Sequence, residues 1–226
     1  MVPRVPLTRL EKSVCELEAQ PVRKGGVLFF GDSLFTRWRM PEYCDTLLED
    51  ALKGVPGAEV LVNHGIGGAT AEELLYYYPR LVRPYAPKAL VLSAYGNDTM
   101  FAYSATEVMA LLARILEYAR VEFPGIRLFL CDVKIDTLHI GTEDRLWRWI
   151  HGRDEFNHML DQYAADHADT QIIKSLYYPG FYSDPQDVGD YNKPRLDLFV
   201  EDGIHFTREG YELCGQFFRE YFADKL

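Results

Sequence analysis

The sequence predicts an α/β fold in which a parallel sheet is covered by helices on both faces. Two observations carry this. Short runs apolar at nearly every position, such as Val27-Leu28-Phe29-Phe30 and Ala89-Leu90-Val91-Leu92, are the pattern of strands buried on both sides. These runs alternate with amphipathic stretches through five strands, which implies parallel strands joined by right-handed crossovers.

Residues 1–25 open with prolines, and Leu7 to Ala19 is expected to form one short helix packing outside the sheet. The first strand runs into Gly31-Asp32-Ser33, so Ser33 falls just past its carboxyl end, where open α/β sheets place their ligands. A helix is expected over 41–53, with Pro41 at its first position and Gly54 past its end. The second strand is expected over 59–63, ending in the loop Asn63-His64-Gly65-Ile66-Gly67-Gly68. Thr70 and Glu73 fit a capping box for the next helix, ended by Pro79, Pro84 and Pro87. The third strand, 89–94, leads to Tyr95-Gly96-Asn97-Asp98. A second capping box, Ser104 with Glu107, starts a long helix that Pro124-Gly125 stops. Strand four is expected over 126–131, a helix interrupted near Gly152 over 142–167, and strand five over 171–176. Residues 177–200 are rich in turn chemistry and predict a long irregular loop, read here as a cover for the site. Thr207 caps a last helix whose Tyr211, Cys214, Phe217, Phe218, Tyr221 and Phe222 share one apolar side.

A chain of 226 residues suits one domain, with 1–25 as an extension packed on it. The formal charge of −10 disfavours nucleic acid and anionic membrane as partners, since both need clustered Lys and Arg. The four cysteines show no CxxC spacing, and Cys131 and Cys214 read as small core residues. The N-terminus has no apolar signal-peptide region, and no run has membrane-spanning length. The expectation is a soluble cytoplasmic protein with reduced thiols and no integral membrane association; its oligomeric state is open.

The loops after the first three strands carry Ser33, the glycine run and Asn97 to one edge of the sheet, and Asp202-Gly203-Ile204-His205 precedes the last helix. Together they supply the parts of an acyl-transfer site. Ser33 is the candidate nucleophile, which needs a base to take its proton. His205 is the candidate base, and Asp202 would hold its other ring nitrogen. Donors for a tetrahedral oxyanion are available from the Ser33 and Gly68 backbone N–H groups and the Asn97 amide.

Gly31-Asp32-Ser33-Leu34, Asn63-x-Gly65-x-Gly67-Gly68, Asn97-Asp98 and Asp202-x-x-His205 resemble, in order, the four motif blocks of the SGNH/GDSL hydrolase family. The resemblance covers about residues 26–222. It implies a flavodoxin-like three-layer α/β/α sandwich with a five-stranded parallel sheet, and ester hydrolysis without metal or cofactor. It also implies the roles above for Ser33, Gly68, Asn97 and His205, with Asp202 supporting His205. The expected substrate is a small-molecule carboxylic ester with an acetyl or short acyl group. One departure stands out: the family's third block reads Gly-x-Asn-Asp, but Tyr95 occupies the first position here. A phenol there would crowd the oxyanion site or alter the backbone path.

Other readings stand beside these. Ser33 alone would serve as a helix cap, and the glycine run as a plain connection or a phosphate cradle, though it lacks a P-loop lysine. His64 suggests a metal with Asp202 and His205, but no ligand spacing supports one. Asp98 reads as structural. Trp38, Trp147 and Trp149 read equally as pocket lining or packing, and part of Tyr76-Tyr77-Tyr78 must be exposed or in a groove. The carboxylate partner is expected to raise the His205 pKa. The alternative function is a non-catalytic module binding an acylated small molecule; a flavin or nucleotide binder is a third.

Overall fold

The computed structural model describes residues 3–138 and 143–226, and for 143–151 the backbone alone. Strands β1 (Val27–Gly31), β2 (Leu61–Gly65), β3 (Ala89–Leu92), β4 (Arg127–Cys131) and β5 (Thr170–Ile173) form one sheet in the order β2-β1-β3-β4-β5. Every pairing is parallel. The helices are α1 (Glu11–Glu18), α2 (Ser33–Arg37), α3 (Leu48–Ala51), α4 (Ala71–Leu81), α5 (Gly96–Met100), α6 (Ala105–Glu122), α7 (Glu143–Asp166) and α8 (Arg208–Phe222).

The pleat divides the core in two. Leu28, Phe30, Leu90, Leu92, Leu128 and Leu130 face one side and pack with buried residues of α1, α4, α6 and α7. Val27, Phe29, Ala89, Val91, Phe129 and Cys131 face the other and pack with α2, α3 and α8. Successive strand residues point to opposite faces, so runs that are apolar throughout need a helical layer on each. The result is the expected three-layer sandwich. Cys131 and Cys214 are both buried in it.

Several boundaries differ from expectation, each for a visible reason. No helix spans 41–47. The Glu42 carbonyl accepts from Arg208 at 3.0 Å, and the Thr46 N–H donates to Glu212 at 2.8 Å, so α8 takes the two groups that a helical turn would have paired. β2 sits two residues later than expected, because Asn63 and His64 pair with Phe29 and Phe30. Pro79 does not end α4, which runs on to Leu81, whose carbonyl is bonded by His64 Nδ1 at 2.7 Å. β5 stops at Ile173 because buried Asp132 captures the N–H groups of Ser175 and Leu176, each at 3.0 Å. α7 is continuous through Gly152. Trp38 belongs to the core, fully buried and donating to the Thr46 carbonyl. Thr142 and the side chains of Trp147 and Trp149 lie outside the described residues. Tyr77 and Tyr78 are buried while Tyr76 is exposed. Among the described residues, no helix is long and apolar enough to cross a membrane.

Candidate active site

β1 delivers Gly31 to the sheet's carboxyl edge, and the chain turns at once into α2. The Asp32 carboxylate caps that helix by accepting from Leu34 N–H at 3.0 Å, which leaves Ser33 at its first position. The Ser33 N–H belongs to the orphan donors of a helix start and bonds to no described residue.

The second loop is pinned against this turn. Ile66 N–H donates to the Gly31 carbonyl at 2.7 Å, and Asn63 Nδ2 donates to the Phe35 carbonyl at 2.8 Å. A Cβ on Gly65 would lie 2.2 Å from the Thr36 nitrogen, so only glycine lets α2 approach this closely. Gly68 has φ +77°. Its carbonyl accepts from Arg9 at 2.8 Å, while its N–H bonds to no described residue.

The third loop forms the short helix α5, where a plain loop was expected. Asn97 Nδ2 donates to the Ala69 carbonyl at 3.0 Å, which sets the amide beside the glycine loop. Asp98 is fully buried and accepts from Ala71 N–H at 2.8 Å and Tyr95 N–H at 3.0 Å, tying the second loop to the third. Burial pushes its carboxyl up to about 7 against the pull of those two bonds. This is the structural role expected of it.

The Asp202–His205 turn reaches the same edge. His205 Nε2 lies 2.9 Å from Ser33 Oγ, and its Nδ1 lies 2.6 Å from Asp202 Oδ2. The Asp202 carboxylate fixes Nδ1 as the protonated nitrogen, leaving the Nε2 lone pair facing the serine hydroxyl. Asp202 Oδ1 also accepts from the N–H groups of Ile204 and His205, both at 2.9 Å. Burial opposes ionisation of Asp202, but these bonds, with that from the imidazole, hold its carboxyl down at about 2. The pKa of His205 moves down, not up as expected. Burial penalises the imidazolium, and the Arg37 and Lys134 charges add to that, outweighing the Asp202 bond.

Beside Ser33 opens a cavity of about 840 Å³, lined also by Asn97, Tyr95, Met100, Tyr103 and Lys134. None of residues 177–200 lines it, so the expected cover lies elsewhere. That segment packs against α7 and the core instead: Tyr191 Oη accepts from Asn157 Nδ2 at 2.7 Å, and the Phe181 ring stacks on Phe206. The Tyr95 side chain is almost wholly buried. It stacks on Phe156 at 4.5 Å, and the departure is absorbed by the backbone at φ 114°. His64 stands apart from His205: its Nδ1 is used by the Leu81 carbonyl, and burial lowers its pKa to about 4.

Arg37 and Lys134 escaped the sequence reading. Arg37 lies 3.6 Å from Asp202, one helical turn after Ser33, and that i, i+4 spacing was the available signal. Lys134 donates to the Ile204 carbonyl, a contact for which the sequence holds no pattern.

The whole chain resembles solved structures of low identity. A GDSL-like lipase from Bacteroides thetaiotaomicron is 19% identical, with TM-score 0.69 over 98% of this chain and 100% of that one. The lipase/acylhydrolase from Enterococcus faecalis is 19% identical, with TM-score 0.67 over 89% and 97%. An acetyl xylan esterase is 18% identical, with TM-score 0.67 over 87% and 98%. Among curated proteins none matches. The model of the GDSL-like lipase/acylhydrolase family matches residues 29–213, and the chain belongs to that family.

Proposed function

We propose that the protein is a serine esterase that cleaves small carboxylic esters through an acyl-enzyme. Ser33 Oγ attacks the carbonyl carbon as His205 Nε2 takes the hydroxyl proton. Asp202 holds Nδ1–H and stabilises the imidazolium. The carbonyl oxygen becomes an oxyanion facing the N–H groups of Ser33 and Gly68 and the Asn97 amide. Collapse breaks the ester C–O bond, and the leaving alcohol takes the proton from His205. Water then attacks the acyl group, giving a proton to His205, and the acid departs as Ser33 recovers its hydrogen. No step requires a metal.

The single observation that supports this reading most is the serine–imidazole–carboxylate chain at 2.9 and 2.6 Å, built from segments far apart in sequence. The likeness to an acetyl xylan esterase favours acetyl or short acyl esters. The test is turnover of nitrophenyl acetate together with labelling by a fluorophosphonate. Ser33→Ala and His205→Ala should each lower kcat by about 10⁴-fold or more with the fold retained. Ser33→Ala should also abolish labelling. A wild-type protein that is neither labelled nor active would favour the binding-module alternative.

A further inference from the structure

Lys134 touches both the cavity beside Ser33 and the turn that carries His205. It follows β4, and its ammonium donates to the Ile204 carbonyl, immediately before His205, and to the Ile135 carbonyl at 3.3 Å. It sits over the Phe206 ring at 5.0 Å and the Phe199 ring at 5.6 Å, the two residues whose antiparallel bridge closes the turn. Three residues along, Thr137 N–H donates to the Gly203 carbonyl at 2.7 Å. The loop after β4 therefore grips two successive carbonyls of the turn. Asp202 holds the other side of the turn by accepting from the Ile204 and His205 N–H groups, and the Val200 N–H donates to the His205 carbonyl at 2.9 Å, so Thr137 and Lys134 complete its carbonyl side.

We propose that Lys134 is a positioning residue for His205: by holding the Ile204 carbonyl it fixes the peptide that aims the imidazole at Ser33. The proposal rests on the serine esterase reading. A rotated Ile204–His205 peptide would carry Nε2 out of reach of the hydroxyl, and a displacement of ~1 Å costs about a hundredfold in rate. The lysine also leaves an electrostatic mark. His205 faces Asp202 from its own turn, Arg37 from α2 and Lys134 from the loop after β4, while Lys134, whose pKa burial lowers, itself faces Asp136, Asp32, Cys214 and Asp202. Its positive charge opposes the imidazolium.

The test compares wild type, Lys134→Met and Lys134→Arg on nitrophenyl acetate across the titration range of imidazole, with sites counted by fluorophosphonate. Lys134→Met should lower kcat per labelled site about 10- to 100-fold with KM little changed. Its acid limb should move to higher pH. Lys134→Arg keeps the charge and should keep the acid limb. Should Lys134→Met not fold, Lys134→Gln, which keeps a donor but not the charge, should still move the limb. A kcat per site within about threefold of wild type for Lys134→Met overturns the proposal, and so does an unmoved acid limb in whichever uncharged variant folds. A wild type without turnover or labelling overturns the esterase reading first, and this proposal with it.

Discussion

The two sides of the site are built differently. Ser33 sits two residues beyond the interior strand β1, at the first position of a helix whose cap is its own neighbour Asp32. Its placement follows from sheet geometry and one short turn. His205 arrives at the end of an irregular segment that follows edge strand β5. Its placement is assembled from single bonds: Asp202 to two backbone N–H groups, Thr137 and Lys134 to two carbonyls, and Val200 to the Gly203 N–H and the His205 carbonyl. One side is held by secondary structure and the other by a lattice of single contacts, so the second side should respond more strongly to conservative changes away from the reacting atoms.

The largest effect expected from such a change is at Asp202. Asp202→Asn keeps an oxygen for the Ile204 and His205 N–H groups, so the turn survives. It removes the charge facing the imidazolium and the acceptor that sets the tautomer. A loss of about 10³- to 10⁴-fold in kcat is expected. The carboxylate favours the protonated ring, so without it the His205 pKa falls further and the acid limb moves to lower pH. Steady-state pH profiles check both. A loss below about tenfold would mean that the backbone contacts alone orient the ring.

Asn97 tests the side built on the sheet. Its amide has two hydrogens, and one is spent on the Ala69 carbonyl. The other is available to the oxyanion. Asn97→Ala should cost about 10²- to 10³-fold in kcat with KM nearly unchanged, because the bond matters chiefly in the transition state. Fluorophosphonate labelling should slow in parallel. Equal turnover would leave the oxyanion to the Ser33 and Gly68 N–H groups.

The same contrast explains what the sequence could announce. Buried strands and capping boxes are local patterns, so the parallel sheet, α6 and the position of Ser33 were legible. The Thr70 and Ser104 caps fall where the spacing put them. Of the helix expected over 41–53 only Leu48–Ala51 forms, because the groups its first half needed were claimed by α8, a partner more than 160 residues away. The residues of the serine–imidazole–carboxylate chain were legible because two of them lie three residues apart and the third follows a buried strand by two residues. Lys134 was not, since its meaning depends on where Ile204 comes to lie. The pKa direction of His205 was misread for a related reason: the carboxylate is visible in sequence, but the burial and the Arg37 and Lys134 charges that outweigh it are tertiary.

The smallest effect is expected at Tyr95, where two physical terms oppose each other. The residue adopts φ 114°, a conformation that costs a non-glycine about 1–3 kcal/mol and that glycine adopts freely. On that ground alone Tyr95→Gly would stabilise. Yet the ring is almost wholly buried and stacks on Phe156 at 4.5 Å with an interplanar angle of 16°. Emptying a buried aromatic site costs about 3–5 kcal/mol. Burial therefore wins, and Tyr95→Gly should lose about 1–3 kcal/mol in urea unfolding. Turnover should change by no more than about threefold, since Asp98 takes the backbone N–H of residue 95 whatever side chain it bears. A gain in stability would mean that the strain, not the stacking, sets the balance at this loop. A large loss of turnover would mean that the phenol itself shapes the cavity beside Ser33, and that the sheet-built side depends on single contacts as much as the other.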